Sequence, residues 1–165
     1  MAPVVQEMPL KFEHLIEVND LANPLQDPLT REELWFGLLC RAEDARAFLP
    51  GLEACRIVER SESSLVRDLD FGGVVIRDRV TFSPLDWIRF ESEANEQHAG
   101  GSLTIRIEEP QAGALFLRFS YRTTLPEAAG DDARYADFVR SAYHQSDVDT
   151  VRVIRMIAAS GGLQQ

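Results

Sequence analysis

The chain has 165 residues, 45% of them apolar, which is enough for one domain with a sizeable buried core. Its 27 acidic residues outnumber the 17 basic ones, and the net charge of −10 disfavours binding to nucleic acid or anionic membranes, although high solubility explains the charge equally well. The sequence contains no secretory leader pattern, no CxxC motif and no apolar run of about 20 residues, so we expect a reduced cytoplasmic protein without membrane insertion.

The N-terminal part predicts a short extension followed by one strand. Residues 1–9 are expected to form a flexible extension. The run from Lys11 to Asn19 alternates between apolar and polar residues, as is typical of a strand with one buried face. Phe12, His14 and Ile16 share the face that would be buried.

The next segment predicts two short helices. Thr30 and Glu33 match a capping box, in which each side chain bonds the other residue's backbone N–H, and this pattern predicts a helix through Leu39. A second short helix is expected from Asp44 to Leu49, where Pro50-Gly51 provides a stop signal.

Six strand-like runs follow, and their short turns predict an antiparallel meander. The runs are Ala54–Arg60, Ser64–Phe71, Val74–Phe82, Ile88–Ala94, Ser102–Glu108 and Ala114–Leu125. From about Asp132 to Ser160 the apolar period changes to 3.6, which predicts a helix of roughly 40 Å that ends at Gly161-Gly162. The predicted fold is α+β: a curved, seven-stranded antiparallel sheet with a long C-terminal helix laid across it, an arrangement that can enclose a cavity.

A two-residue turn at Gly72-Gly73 predicts the register of the inner face. Arg67 then lies opposite Asp78, and Ser92 lies beyond Asp78 on the next strand. The other inner positions are mostly apolar and would form the wall of the cavity. The predicted wall is Phe12, Ile16, Ile76, Val80, Phe90, Ile105, Leu117 and Phe119, with the polar exceptions His14, Arg67, Asp78, Ser92 and Tyr121. The long helix would add Tyr143, Ser146 and Asp149.

Each polar group admits two interpretations. The pair of Arg67 and Asp78 would either orient a polar group of a ligand or form a structural bridge that satisfies itself. His14 would be either a general base or a hydrogen-bonded core residue. On the long helix, Asp147 is expected in a solvated acidic turn, whereas the helical wheel turns Asp149 inward.

The sequence offers little support for metal or cofactor chemistry. Three scattered histidines have no metal-ligand spacing, so no metal is predicted, and the glycine pairs match no nucleotide-binding motif, so no cofactor is predicted. If the protein were an enzyme, His14 or Asp78 would be the candidate base, with Tyr121 or Arg67 as the donor to an oxyanion. Asp78 would be a poor base if Arg67 holds it as a carboxylate, which favours binding over catalysis.

The order of elements resembles the helix-grip fold of the START-like (Bet v 1-like, SRPBCC) superfamily. Several segments are similar to its AtaL-like group, a family of unknown function. They are KFEHLIEVND at 11–20, DPLTREELW at 27–35, RDRVTF at 77–82, HAGGSL at 98–103 and SAYHQSDVDTVRVIR at 141–155. The resemblance implies a single START-like ligand-binding domain over residues 10–163. Relatives in the superfamily bind lipids, sterols, polyketides or plant hormones between sheet and helix, and some are cyclases or dehydratases.

Three functions remain open at this point. The first is binding of one small, largely apolar molecule in the cavity. The second is a cofactor-independent cyclase, dehydratase or aldol-type enzyme acting on a polyketide-like or other hydrophobic substrate. The third is a protein-interaction module with a filled core. A monomer or a homodimer is expected, with the edges of the first and last strands as the candidate dimer contacts.

Overall fold

A computed structural model describes residues 9–94, 100–124 and 132–161, and it describes side chains in these ranges except at 9, 10, 124 and 132–138. The elements follow the predicted order, except that one helix instead of two follows the first strand. They are β1 (Pro9–Glu17), α1 (Arg31–Glu43), β2 (Ala54–Arg60), β3 (Ser64–Asp70), β4 (Val75–Ser83), β5 (Trp87–Ser92), β6 (Gly101–Glu108), β7 (Phe116–Thr124) and α2 (Asp132–Ala159). Of the extension expected at residues 1–9, residues 1–8 lie outside the described residues, and Pro9 already belongs to β1.

The seven strands form one antiparallel sheet in the order β1-β7-β6-β5-β4-β3-β2. The six later strands are the predicted meander, and β1 returns to pair with β7 along its whole length. The edges of the sheet are therefore β1 and β2. The expectation that the last strand offers an edge for a dimer is wrong, because β1 and β6 occupy both sides of β7.

The predicted register of the inner face is confirmed. Arg67 is paired with Asp78, and Asp78 is paired in turn with Ser92. The β3–β4 turn closes with a 2.8 Å hydrogen bond from the Phe71 N–H to the Val74 carbonyl. Gly72 and Gly73 have φ of 83° and 118°, a region that glycine adopts without a Cβ clash.

Helix α1 begins at the predicted capping box. The Glu33 N–H donates to Thr30 Oγ1 over 3.1 Å, and the Thr30 N–H donates to Glu33 Oε1 over 3.0 Å. The second short helix predicted from Asp44 to Leu49 is instead a single 3-10 turn, Ala45–Ala47. The Asp44 side chain caps this turn, and Pro50 follows too closely for a further turn to form.

The two helices pack against each other beneath the inner face of the sheet. A Cβ at Gly37 of α1 would lie only 2.5 Å from Ile154 Cγ2 of α2, so the glycine permits a close approach of the two backbones there. This contact helps set the rotation of α2, and it places Val151 and Ile154 in the core. Ala142 of α2 is exposed.

Within the described residues, neither helix has the combination of length and hydropathy that a membrane span requires.

Candidate functional site

A cavity of about 280 Å³ lies between the sheet and the helices, at the end of the sheet where β5 ends and β6 begins. Its walls combine apolar side chains with a few polar groups. Its lining includes Arg41, Leu49, Arg67, Leu69, Phe71, Asp78, Phe90, Ser92, Leu103, Tyr121, Tyr143 and Ser146. Gly100, Gly101, Ser102, Arg122 and Thr123 complete the lining.

The first polar group is the buried ion pair of Arg67 and Asp78. Arg67 Nε donates to Asp78 Oδ1 over 2.8 Å, and Nη2 donates to Oδ2 over 2.6 Å. The remaining nitrogen, Nη1, donates to the carbonyls of Arg41 and Ala42 over 2.9 and 3.0 Å. Every nitrogen of the Arg67 guanidinium is therefore bonded within the protein. The pair joins two strands to the last turn of α1, which is the geometry of a structural bridge.

The second polar group is a hydrogen-bonded chain of Tyr121, Asp147 and His14. The Tyr121 hydroxyl donates to Asp147 Oδ1 in a short hydrogen bond, and His14 Nδ1 lies 2.8 Å from Asp147 Oδ2. Burial raises the pKa of the Asp147 carboxyl, and burial together with the nearby carboxylate raises the pKa of the Tyr121 hydroxyl. Tyr121 alone of the three lines the cavity, so it is the end of the chain that a bound molecule would touch.

Aromatic rings hold Tyr121 in place. The Phe12 ring stacks on the Tyr121 ring with centroids 5.0 Å apart. The ring of Tyr143, which belongs to α2, lies 4.4 Å from the Tyr121 ring, measured between centroids. Phe12 and Tyr143 also contact each other, at 5.4 Å. The hydroxyl of Tyr121 is thereby kept at the boundary between the cavity and the buried Asp147.

The expected roles of the two aspartates of α2 are reversed. Asp147 is 1% exposed, although the sequence placed it in a solvated turn. Asp149 does not point inward; it accepts hydrogen bonds from Arg152 over 2.6 Å and from Gln145 over 3.2 Å. Each residue turns an α-helix by about 100°, so a phase error of one to two residues is enough to exchange the positions. Some residues on the buried face of α2 are polar, such as Thr150, so the apolar pattern in the sequence does not show which side of the helix is buried.

The predicted site residues fall into three groups. Seven line the cavity: Arg67, Asp78, Phe90, Ser92, Tyr121, Tyr143 and Ser146. Six others belong to the packed core and lie outside the lining: Phe12, Ile16, Val80, Ile105, Leu117 and Phe119. The remaining three are His14, bonded to Asp147, Ile76, half-buried on β4, and Asp149 on the outer side of α2. The cavity therefore occupies only one end of the predicted hollow, because the helices fill the other end.

The sequence reasoning missed Arg41, which has the most unusual surroundings of the lining residues. Its side chain is 7% exposed, and its guanidinium lies 4.4 Å from the centre of the Phe90 ring. A signal was present in the helical spacing, because Leu34, Leu38 and Ala45 are fully buried at intervals that place Arg41 on the same stripe. An arginine within such a stripe must either find an internal partner or meet a ligand.

No cluster of three or more His, Cys, Asp or Glu side chains suited to a metal ion occurs in the part of the chain that the structure describes.

The seven-stranded antiparallel sheet with a helix across it defines the class of the protein, the Bet v 1-like helix-grip fold. Residues 16–161 match the family model "Acetylaranotin biosynthesis cluster protein L", and the chain belongs to this AtaL family. The resemblance to that group is thus confirmed. No curated protein sequence matches the chain.

Solved structures share the fold at low sequence identity. The Zhui aromatase/cyclase from a Streptomyces species is similar with a TM-score of 0.60 and 18% identity, over 89% of this chain and 92% of that one. The di-domain ARO/CYC StfQ from the steffimycin biosynthetic pathway has a TM-score of 0.71 and 12% identity, over 96% of this chain and 54% of its own. Ara h 8.0201 has a TM-score of 0.61 and 12% identity, over 90% of this chain and 99% of its own.

Proposed function

We propose that the protein binds one small, largely apolar molecule in the cavity between the sheet and α2. The observation that carries this proposal is the cavity itself, about 280 Å³, with apolar walls and a few convergent polar groups. Leu69, Phe90 and Leu103 supply apolar surface, while Tyr121 and Ser146 offer hydroxyls that can orient the polar end of a ligand. A largely apolar pocket with few polar groups is the usual form of a small-molecule site.

A second candidate function is a cyclase or dehydratase that acts on a polyketide-like or other hydrophobic substrate. The observation in its favour is the chain from Tyr121 through Asp147 to His14, which could pass a proton to or from a bound carbonyl oxygen. Two of the similar structures are named as aromatase/cyclases. Asp78 is a weak candidate for the base, since both of its oxygens accept hydrogen bonds from Arg67. We therefore place binding first.

The proposal extends to the setting of the protein. Cys40 and Cys55 are free thiols, which fits a reducing cytoplasm. The protein would work there as a monomer or a homodimer, without nucleic acid and without insertion into a membrane.

The test combines a ligand search with a variant that blocks the cavity. Native mass spectrometry of protein from its own host should show an adduct of a small molecule, and titration calorimetry should detect binding of the neutral probe 1-naphthamide. Ser146→Phe would place a ring in the cavity, whereas Ala142→Phe places the same ring on the exposed side of α2. We expect Ser146→Phe to lose both the adduct and probe binding, and Ala142→Phe to keep both.

The same experiment separates the two candidate functions. An adduct whose mass is unchanged after prolonged incubation supports a binding protein, whereas a mass loss of one water supports the dehydratase. Absence of an adduct together with absence of 1-naphthamide binding would contradict the proposed function, as would equal binding in the two phenylalanine variants.

A further inference from the structure

Arg41 is a cation without a partner in a buried position. It lies in the last turn of α1, its side chain is 7% exposed, and it lines the cavity. Among the described residues, Nε of Arg41 is a buried donor without a hydrogen-bond partner, and none of the ion pairs found there includes the Arg41 guanidinium. An arginine carries five N–H donors in a planar fork, so this group has a large unused capacity to bind an acceptor.

The carboxylates near Arg41 are already committed to other donors. Both oxygens of Asp78 accept from Arg67. One oxygen of Asp147 accepts from Tyr121, and the other is bonded to His14. Among the described groups, the positive charge of Arg41 therefore has no directly bonded counterion, although it is buried.

The surroundings compensate this charge only in part. The Phe90 ring, 4.4 Å from the guanidinium carbon, provides a cation–π contact. Burial, and the neighbouring Arg67 more weakly, lower the pKa of Arg41, yet a guanidinium stays charged at neutral pH. A cation in the last turn of a helix is favourable when it is exposed, so the helix itself does not explain the burial.

Arg41 is also not needed to hold the end of α1. The hydrogen bond from Arg67 Nη1 reaches the Arg41 carbonyl, which any residue at this position would supply. A buried, unpaired charge reduces stability, and such a group is retained where it serves binding.

We propose that Arg41 binds a carboxylate of the ligand, so that the cavity selects small apolar carboxylic acids over neutral molecules of the same shape. This inference rests on the proposed function and names its ligand class. A carboxylate would match the guanidinium fork with two parallel hydrogen bonds, while the apolar body lies against Phe90 and Leu103. Since the chain carries a net charge of −10, its overall field opposes anions, and the selection depends on a cation inside the cavity.

The test compares two probes that differ in charge and hardly in shape, 1-naphthoate and 1-naphthamide, by titration calorimetry of the full chain. The wild-type protein should bind 1-naphthoate about 10- to 100-fold more tightly than 1-naphthamide, as expected for hydrogen bonds to a charged partner. Arg41→Gln should weaken binding of 1-naphthoate about 10- to 100-fold and binding of 1-naphthamide much less, so that the preference is lost. Arg79→Gln, which removes an exposed charge from β4 away from the cavity, is the matched control and should keep the preference.

Thermal unfolding provides a second readout that does not depend on the probes. If Arg41 serves the ligand, Arg41→Met should unfold at the same temperature as the wild type or higher, because an unpaired buried charge is lost. A lower midpoint for Arg41→Met would show that the arginine serves the fold and would overturn the inference.

The outcomes also separate this inference from the proposed function. Equal affinity for the two probes, or an equal loss of both in Arg41→Gln, would overturn the role of Arg41 while ligand binding in the cavity would still stand. Absence of binding for both probes in the wild type would contradict the proposed function itself.

Discussion

The two ends of the space between sheet and helices are built from the same elements but have different contents. At one end Leu38, Ile105 and Leu117 are fully buried and contact one another through a continuous apolar core. At the other end the same strands and helices surround a cavity whose lining includes two buried arginines, Arg41 and Arg67. Close packing at the first end stabilises the fold, whereas the second end is less closely packed because it contains the cavity.

This difference shows where stability and function reside in the molecule. Close packing of apolar side chains is the main source of folding free energy, so an unfilled region with buried charges must be supported by the rest of the structure. The cavity end keeps its shape through directional bonds, above all the ion pair of Arg67 and Asp78. The following three comparisons test this division.

The largest effect is expected from breaking the ion pair. Arg67→Met would leave the Asp78 carboxylate buried without its partner and would remove the hydrogen bonds to the last carbonyls of α1, so unfolding should become easier by about 3–5 kcal/mol. Arg77 and Asp68 form a matched pair at the adjacent register on the outer face, 2.8 Å apart. Arg77→Met should cost far less, because exposed ion pairs contribute little.

Urea unfolding of the two arginine variants measures the difference directly. Equal losses of unfolding free energy in the two variants would mean that the inner ion pair stabilises the fold no more than the outer one. Some other interaction would then have to stabilise the cavity end.

A smaller effect is expected when leucines are shortened at the two ends. Leu117 is fully buried in the core. Leu117→Ala should lower the free energy of unfolding by about 3 kcal/mol. Leu103 is on the neighbouring strand and the same face, but it borders the cavity and so has fewer packing partners to lose. Leu103→Ala should cost about 1–2 kcal/mol.

The measurement is again the free energy of unfolding in urea. A cost at Leu103 equal to that at Leu117 would indicate that the cavity is filled by packed side chains in solution.

The smallest effect concerns the pH dependence of stability. Because burial raises the pKa of Asp147, the native state holds this proton more tightly than the unfolded chain does. The contribution of Asp147 to the free energy of unfolding should therefore decrease as the pH rises from about 4, the ordinary carboxyl pKa, through the higher native value. Asp68 behaves oppositely, since hydrogen bonds from Arg77 lower its pKa and its contribution is lost as the pH falls.

The check is the free energy of unfolding of the wild type relative to Asp147→Asn and to Asp68→Asn, measured from about pH 2 to about pH 8, a range that spans the ordinary carboxyl pKa. The free energy of unfolding of the wild type minus that of Asp147→Asn should fall as the pH rises. The free energy of unfolding of the wild type minus that of Asp68→Asn should rise with pH over the lower part of the range. The same slope for both variants would contradict the assignment of Asp147 as a desolvated carboxyl.

Local signals in the sequence were sufficient for much of the fold. The alternation within strands and the Gly72-Gly73 turn predicted the pairing of Arg67 with Asp78, because a two-residue turn leaves few registers. The capping box at Thr30 likewise predicted the start of α1. These features depend on residues that are neighbours in sequence or are joined by short turns.

The candidate site depends on tertiary packing and was predicted only in part. The rotation of α2 depends on its contact with Gly37 of α1, so Asp147 and Asp149 could not be assigned to the correct sides from the helix alone. The position of the cavity depends on which end the helix side chains fill. For the same reason Arg41 was overlooked, since its burial results from the meeting of three elements.

The bond from Arg67 to the carbonyl of residue 41 has a consequence for the divergence of related proteins. The main chain at this position is anchored by the sheet, while the side chain that it carries into the cavity is left free to vary. A substitution at this one position could therefore give a related protein a preference for a different chemical class of ligand while the surrounding backbone stays the same.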